Sequence, residues 1–384
     1  MGNENLHNAK IAKNDEFYTQ YPDIQKEVNA YLEYDPNIFK DKTILLPCDD
    51  PEWSNFTKFF AQNFENFGLK KLISTSYAKA SKLKLYGQQM DLFEDTDYIT
   101  KDPNYQSNID AEKGKIFTLT RMNKKVDIND LKWEYLSGDG DFRSDEIKKL
   151  RDEADYIITN PPFSLFRAFI SWIIEANKKC LTICNKNCIT YKEIFPLFKN
   201  NLLWSGRTEW SGGLWFETTN NDDVDKIIDN KKMKNVSAFW LTNIDHGRRH
   251  QPLQLMSMAD NIKFNKKLKG KEYQKYDNYD AIEVPYTDAI PSDYDGVMGV
   301  PITFLDKYCP EQFEILGSDA YEGTPPNKKY SASKIKVVNG IRSESKTGTM
   351  GCVIKEDKFG QGTYFDVGYP VRAVYKRIFI RKIK

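Results

Sequence analysis

The chain has 384 residues, a formal net charge of +1, 40% hydrophobic residues and 29% charged residues. These proportions are ordinary for a soluble globular protein, and the length fits one large domain with a second module. No segment approaches the roughly 20 apolar residues needed to span a bilayer, and the polar N-terminus lacks the apolar core of a signal peptide. We therefore expect a cytoplasmic protein without a membrane-bound part.

Short apolar runs alternate with amphipathic stretches through the first 245 residues. The predicted strands are TILLPC (43–48), KLISTS (71–76), DYIITN (155–160), CLTICN (180–185) and SAFWLTN (237–243). The predicted helices are 51–67, 144–152, 164–178 and 191–200. Asp50 before Pro51 is a good N-cap for the first of them. The alternation predicts a Rossmann-like α/β fold, with a mixed but mostly parallel sheet covered by helices on both faces.

Two changes in composition mark the domain organisation. Residues 78–130 are polar and acidic, and we interpret them as an insertion with a possible hairpin at 115–124. After residue 245, Tyr, Pro, Gly, Asp and Lys dominate and the helical periodicity fades. We therefore predict one domain at 1–245 and another at 246–384.

The cysteines and histidines do not form a convincing metal motif. None of the six cysteines belongs to a CxxC pair, and Cys180, Cys184 and Cys188 lie in or beside a predicted strand. His246 and His250 are four residues apart but lack the Glu of an HExxH motif. We expect buried free thiols, a basic loop at HGRRH and no bound metal.

Polar residues collect where the predicted strands end, and ligands bind at those ends in open α/β sheets. Asp49 and Asp50 follow the first strand, Asp139 and Asp141 lie in SGDGDF, and Asn160-Pro161-Pro162-Phe163 follows DYIIT. The two prolines fix a rigid turn. This could simply be a turn that terminates a strand.

The tetrapeptide also suits a particular reaction. The lone pair of an exocyclic aromatic amine is delocalised into its ring, so the nitrogen is a poor nucleophile. The Asn160 side-chain oxygen and the Pro161 carbonyl could accept the two N–H groups and make the lone pair available. Phe163 could stack on a base flipped out of a helix. Alone, the motif indicates methylation of a planar amine or amide nitrogen.

Residues 246–295 interleave cations with tyrosines. Such a stretch is often a solvated face or part of a core. Beside a base-modifying motif it suggests DNA binding, through phosphate neutralisation and contacts to bases. The candidate DNA-binding residues are Arg248, Arg249, Lys266, Lys267, Tyr276, Asn278 and Tyr279.

Longer strings now point to a family. DEFYTQY (15–21), LPCDDPEWSNF (46–56), SGDGDFRS (137–144), ITNPPFSLF (158–166), ITYKEIF (189–195), FWLTN (239–243), KYDNYDAI (275–282) and DGVMGVPITFLDKYCPEQFEI (295–315) carry the resemblance. On these motifs the chain resembles the EcoRI family of adenine-specific DNA methyltransferases.

The resemblance implies a class I methyltransferase that uses S-adenosylmethionine. In the family pattern Phe17, Tyr18 and Thr19 lie near the methionine end of the cofactor, and Asp49 and Asp50 contact its methionine and amino group. Asp141 and Phe142 match the acid–aromatic pair for its adenine ring, and Asn160 to Phe163 match the residues that hold the target base. It further implies double-stranded DNA as substrate, and it suggests a cognate restriction endonuclease that acts on the same site without necessarily contacting this chain. We expect monomeric action, because each turnover modifies a single flipped base.

The chain departs from the wider superfamily in two places. LPCDDPEWSNF contains no glycine, and no acid closes KLISTS to bind the cofactor ribose, so Ser76 or an acid from the insertion would have to substitute. Rival interpretations are methylation of RNA or of a protein glutamine, and a catalytically silent DNA-binding relative. A nuclease fits less well, because DGDF lacks a following Glu-x-Lys cluster.

Overall fold

A computed structural model shows two compact units in this chain. It describes residues 18–78, 109, 112–121, 132–218, 224–319, 325–330, 334–345, 351–356 and 362–383. The first unit falls within Met1–Cys188 and Ser205–Gly247, and the second within Ile189–Trp204 and Arg248–Lys384. The sequence-based boundary assigned 189–204 to the first domain, whereas the structure places this segment in the second unit.

The first unit is built from two sheets and four α-helices among the described residues. Its strands are β1 (Tyr18–Thr19), β2 (Thr43–Leu46), β3 (Lys71–Thr75), β4 (Lys115–Thr120), β5 (Glu134–Tyr135), β6 (Tyr156–Thr159), β7 (Lys179–Asn185), β8 (Trp204–Ser205), β9 (Leu214–Glu217), β10 (Lys226–Ile228), β11 (Lys231–Val236) and β12 (Ala238–Thr242). Its helices are α1 (Tyr21–Tyr34), α2 (Asn55–Gln62), α3 (Asp145–Glu153) and α4 (Phe166–Glu175).

The larger sheet has eight strands in the order β5-β4-β3-β2-β6-β7-β12-β8. The four central strands β3, β2, β6 and β7 are parallel, whereas β4, β5 and β12 pair antiparallel with their neighbours. The prediction of parallel strands is thus confirmed for the centre and wrong for β12. The smaller sheet, in the order β1-β9-β11-β10, is antiparallel.

Every residue of β2 and β6 is buried. Successive side chains of a strand point to opposite faces, so both faces of the sheet are covered at its centre. On one face Ile44 and Ile158 join a core cluster with Tyr31 of α1 and Phe59 of α2. This explains why these strands are continuous apolar runs rather than alternating ones.

The first predicted helix begins later than its sequence suggests. Ser54 is the N-cap of α2 and accepts a hydrogen bond from the Phe56 N–H at 3.0 Å. Asp50 instead closes the preceding turn, where its side chain accepts the N–H of Glu52 at 2.9 Å. The prediction that Asp50 is the N-cap is therefore wrong. Asp and Ser are both favoured at an N-cap, but only Ser54 directly precedes the helix.

The predicted insertion contributes directly to the main sheet. β4 lies within the segment that we interpreted as inserted, and it pairs antiparallel with β3 from Lys71↔Thr120 to Thr75↔Ile116. Residues 79–108 and 122–131 lie outside the described residues. The proposed hairpin at 115–124 is therefore described only in its first strand.

The second unit is mostly β-structure. Its helices are α5 (Phe195–Lys199) and α6 (Met258–Phe264). Its strands are β13 (Ile282–Glu283), β14 (Met298–Pro301), β15 (Phe313–Ser318), β16 (Lys334–Val338), β17 (Ile341–Ser345), β18 (Val353–Lys355), β19 (Thr363–Asp366), β20 (Pro370–Ala373) and β21 (Arg377–Lys382). They form sheets in the orders β13-β14-β21-β15 and β17-β16-β19-β20-β18.

Helix α5 belongs to this unit because it packs against β15. Its Phe195 and Phe198 are buried. No helix in the described part of either unit is long and apolar enough to cross a bilayer.

A buried ion pair lies in the first of the second unit's sheets. Arg377 of β21 contacts the Glu283 carboxylate with its Nη2 at 2.6 Å, and the Tyr276 hydroxyl donates to the same carboxylate. The Arg377 and Glu283 side chains are each 9% exposed. On the same strand, Arg381 pairs with Glu314 at 2.5 Å, but both of these side chains are more than 40% exposed.

We expect Arg377→Met to lower the free energy of unfolding of the second unit by about 3–5 kcal/mol, because it leaves a buried carboxylate without its partner. Arg381→Met is the matched control and should cost less than about 1 kcal/mol. Urea unfolding of both variants measures the difference. Equal losses would contradict the role given to the buried pair.

Candidate active site

The carboxyl ends of β2 and β6 lie side by side at the point where the chain changes direction across the sheet. From β2 the chain runs outward through β3 to β4 and β5, and then returns to place β6 on the other side of β2. Such a reversal opens a crevice outside the carboxyl ends of the strands, where ligands bind. Asp49 follows β2 and Asn160 follows β6. The polar residues predicted after β2 and the tetrapeptide predicted after β6 therefore lie on the two sides of this crevice.

Asp49 ties the two strand ends together. One of its carboxylate oxygens accepts the Ser54 hydroxyl at 2.7 Å, and the other accepts the Thr159 hydroxyl at 2.5 Å. The residue is 5% exposed, and its backbone carbonyl accepts the Ser74 hydroxyl at 2.5 Å. Asp49 therefore positions the loop after β2 and the end of β6, and both oxygens of its carboxylate are engaged within the protein.

The loop after β2 reaches the N-terminal motif. Asn55 at the start of α2 donates from its side-chain amide to the Thr19 carbonyl at 2.8 Å. The Thr19 hydroxyl is buried, and no hydrogen-bond partner for it occurs among the described residues. The backbone of Tyr18 pairs with Glu217 in the smaller sheet, and Phe17 lies outside the described residues. The structure thus brings Thr19 against the first residue of α2, in the same unit as Asp50.

The tetrapeptide forms a turn that leads into α4. Asn160 is half-buried and Pro161 is buried. Phe163 begins a single 3-10 turn, in which the Leu165 N–H donates to the Pro162 carbonyl at 3.0 Å. The Phe163 ring is half-buried against the core of the unit. The turn therefore holds Asn160 directly at the end of a central strand.

The SGDGDF loop packs closely on the end of β3. A Cβ atom at Gly140, whose φ is +79°, would lie 2.1 Å from the Ser76 carbonyl oxygen. Glu146 of α3 holds the start of the loop, since its carboxylate accepts the N–H groups of Ser137 at 2.9 Å and Gly138 at 3.0 Å. The loop is thus fixed at the same edge of the sheet as the other site residues.

Asp141 and Phe142 have different environments. The Asp141 carboxylate binds the Arg143 guanidinium through two nitrogens, at 2.9 and 2.5 Å. Burial alone would raise the pKa of Asp141, but the hydrogen bonds and the charge of Arg143 outweigh it and lower the pKa below its usual value. Phe142 is 5% exposed and packs edge-on against Phe169 and Trp172 of α4. Its ring is therefore part of the core in this structure.

The three predicted base readers of the second unit are buried. Tyr276 and Tyr279 are each 6% exposed and pack against Phe379, and Asn278 is 4% exposed. The Asn278 side chain donates to the Gly351 carbonyl at 2.7 Å and accepts the Val353 N–H at 3.0 Å. Because these side chains are enclosed and hydrogen-bonded within the unit, we replace the expectation that they read bases with a structural role.

The predicted cationic residues divide into two groups. Arg248 pairs with Asp306 at 3.1 Å, and Arg249 stacks on Trp204 with 3.5 Å between its guanidinium carbon and the ring centroid. Both arginines are largely enclosed, with Arg249 8% exposed and the Arg248 side chain 12% exposed. Lys266 and Lys267 are exposed just beyond α6. Only the two lysines therefore present their charges to solvent.

Three of the five buried free thiols lie in the first unit, and Cys309 and Cys352 are buried in the second. Cys180 and Cys184 lie in β7, and the Cys184 and Cys188 sulfurs are 3.2 Å apart. Burial raises the pKa of the Cys180 thiol to about 12. Within the described ranges, no group of three or more His, Cys, Asp or Glu side chains could hold a metal ion.

The Asp49 network generates a stability prediction. We expect Thr159→Val to lower the free energy of unfolding by about 1.5–3 kcal/mol, because a buried carboxylate loses a hydrogen-bond donor. Thr57→Val is the matched control, since Thr57 is equally buried but its hydroxyl partner, Ser74 at 2.7 Å, is neutral. It should cost about 0.5–1.5 kcal/mol. Urea unfolding compares the two, and a larger loss for Thr57→Val would contradict this role of Asp49.

Comparison with known proteins places this chain in a family. A family model described as "Adenine-specific methyltransferase EcoRI" matches residues 5–382. No solved structure shows a significant match. Type II methyltransferase M.EcoRI from Escherichia coli is 41% identical over 323 residues, which cover 82% of this chain and 89% of that protein. Type II methyltransferase M.MpnI from Mycoplasma pneumoniae is 34% identical over 317 residues, which cover 80% of this chain and 83% of that protein. This chain therefore belongs to the EcoRI family of adenine-specific methyltransferases.

Proposed function

We propose that this enzyme transfers a methyl group from S-adenosylmethionine to N6 of an adenine flipped out of duplex DNA, with Asn160, Pro161, Pro162 and Phe163 holding the base. The observation that carries this proposal is the position of Asn160, which directly follows the central strand β6 at the chain-reversal crevice. The relatives are named Type II methyltransferases. We therefore also propose a cognate restriction endonuclease that recognises the same DNA sequence.

We assign the first unit to a Rossmann-like class I methyltransferase fold and to catalysis. This assignment is supported by the four parallel central strands and the reversal between β2 and β6. We assign DNA recognition to the second unit. Monomeric action is sufficient for this chemistry, because each turnover modifies one flipped base.

The residues at the sheet edge fit the cofactor in their chemistry. S-adenosylmethionine carries an amino acid group, a sulfonium and an adenosine, and bound here it supplies an electrophilic methyl group. Carboxylates of Asp50 and Asp141 suit its amino groups, and the buried Thr19 hydroxyl suits a polar atom at its methionine end. A carboxylate has about four lone-pair sites, so Asp141 can accept an adenine amino group while it is bound to Arg143.

Asn160 and the Pro161 carbonyl act on the adenine amine. If each accepts one of its two N–H groups, the nitrogen becomes more tetrahedral and its lone pair becomes available for the new N–C bond. The N–C bond would form as the S–CH3 bond of the cofactor breaks, so S-adenosylhomocysteine would leave and the nitrogen would carry a positive charge until it releases one proton to solvent. Oxygen acceptors fixed by a rigid turn stabilise that charge without reorganising. Asp49 acts on this step only indirectly, by fixing Thr159 immediately before Asn160.

We expect Asn160→Ala to lower the rate of methyl transfer by at least about 100-fold, as for loss of one preorganised hydrogen-bonding group in other active sites. Binding of duplex DNA and of cofactor should change less than about threefold. Label from S-adenosylmethionine incorporated into DNA under single-turnover conditions measures the rate. Parallel reactions with structured RNA and protein identify the substrate class.

Asn243→Ala is the matched control. Asn243 also directly follows a strand of the same sheet, but β12 is antiparallel and ends at the opposite edge. Its side chain accepts the Cys180 N–H at 2.6 Å, so the variant should lose stability but keep wild-type turnover per folded molecule. Wild-type turnover in Asn160→Ala, or label entering only RNA or protein, would refute the proposed function.

The exposed lysines near α6 are our candidates for phosphate contacts. Six of them, Lys263, Lys266, Lys267, Lys269, Lys271 and Lys275, are exposed. The Lys267–Asp288 pair at 2.7 Å is more than half exposed on both sides. Such a pair contributes little in water, so Lys267 can exchange Asp288 for a phosphate.

We expect Lys266→Ala combined with Lys267→Ala to weaken DNA binding similarly for all sequences. The slope of log affinity against log salt concentration should become shallower by about 2, or roughly 1 for each lost phosphate contact. Lys231→Ala combined with Lys232→Ala, at the two exposed positions that begin β11 of the first unit, is the control. An unchanged slope in the first pair would exclude these lysines from the DNA interface.

A further inference from the structure

The edge of the sheet beside β3 lacks the carboxylate that commonly binds a ribose. In nucleotide-binding α/β folds an acid at this kind of strand end accepts a ribose hydroxyl. Here β3 ends in Thr75, and Ser76 and Tyr77 follow. The Ser76 hydroxyl accepts the Lys115 N–H at 3.2 Å, and is thus already engaged by β4.

A carboxylate from a different loop reaches this edge. Glu52, in the turn after β2, accepts a hydrogen bond from the ammonium group of Lys115, the first residue of β4. The backbones of Lys115 and Ser76 are directly hydrogen-bonded, since the Ser76 N–H donates to the Lys115 carbonyl at 3.0 Å. The Glu52 carboxylate is therefore linked to the end of β3 through the Lys115 side chain and one backbone hydrogen bond.

Lys115 also contacts an aromatic ring. Its Nζ lies 4.2 Å from the centroid of the Trp133 ring, and Trp133 packs edge-on against Tyr135 of β5. The Lys115 side chain is 9% exposed and the Glu52 side chain 20% exposed. The acid is thus the more accessible partner of a pair that is otherwise enclosed.

The neighbours of this pair are residues already assigned to the cofactor. The Glu52 N–H donates to Asp50 at 2.9 Å. On the other side, Gly140 lies against the Ser76 carbonyl, immediately before Asp141. Glu52 is thus hydrogen-bonded to the methionine-side acid and is linked, through Lys115 and Ser76, to the loop that carries the adenine-side acid. The ribose of S-adenosylmethionine joins the methionine and adenine ends of the cofactor. Enclosing an ion pair does not by itself stabilise a protein, so stability alone does not account for this pair.

We propose that Glu52, oriented by Lys115, accepts the ribose hydroxyls of the cofactor in place of the acid missing from β3. This inference rests on the proposed use of S-adenosylmethionine. Glu52 is the binding residue and Lys115 is a positioning residue. Loss of a purely structural pair would change the affinity for all ligands of this site alike. Loss of a ribose contact would weaken binding only of ligands that carry the ribose hydroxyl.

The test measures binding of S-adenosylhomocysteine and of its 2′-deoxy analogue by calorimetry. We expect the wild-type enzyme to prefer the hydroxylated ligand by about 10- to 100-fold, the usual range for a hydrogen bond to a charged group. In Glu52→Gln the preference should fall severalfold, because the neutral amide is a weaker acceptor. That variant leaves Lys115 buried without its partner, so Glu52→Gln combined with Lys115→Met is tested beside it. In the double variant the affinities for the two ligands should differ by less than about threefold.

Glu153→Gln combined with Lys71→Met is the matched control. This pair, at 2.8 Å, lies at the opposite end of β3, so the wild-type preference should persist. Equal binding of the two ligands to the wild-type enzyme, or an undiminished preference in the Glu52 variants, would overturn the ribose assignment while leaving the cofactor proposal intact. Failure of the wild-type enzyme to bind S-adenosylhomocysteine would overturn both.

Discussion

The buried carboxylate of Asp49 is the interaction on which the site depends. Its two oxygens accept hydroxyls from the loop after β2 and from the last residue of β6. In an enclosed environment such hydrogen bonds are strong, and a missing donor is costly. They set the separation between the carboxyl end of β2 and the carboxyl end of β6, which precedes Asn160. Pro161 and Pro162, which follow Asn160, are conformationally restricted and therefore fix the turn relative to the end of β6.

Much of the first unit could be predicted from the sequence because its signals are local. The apolar runs of β2, β3, β6 and β7 are short, continuous and bounded by polar residues, and the polar residues at their ends mark the ligand edge. Strand direction is not a local property. β12 has the same kind of apolar run but pairs antiparallel with β7, and burial on both faces produces this pattern in either direction. Likewise, Asp50 and Ser54 are both acceptable caps, and only packing of α2 selects Ser54.

The second unit was harder to predict because its polar residues have two uses. A tyrosine can read a base or bury its ring and satisfy its hydroxyl, as Tyr276 does with Glu283. Arginine is equally ambiguous, and Arg249 stacks on Trp204, 45 residues earlier in the chain. The Glu52–Lys115 pair joins residues 63 apart. Spacing along a sequence carries no information on such contacts. Only the folded chain shows which charged side chains are paired with other residues of the same chain.

The path of the chain between the units limits how this enzyme can be divided. Segment 189–204 leaves the first unit and returns to it before the final crossing after Gly247, and its α5 buries Phe195 and Phe198 in the second unit. A fragment that ends near residue 245 would therefore display an apolar helix with nothing to cover it, and the complementary fragment would lack part of its interior. Exchange of the second unit between relatives must therefore transplant both segments together. The two units are compact, but neither corresponds to one continuous segment of the sequence.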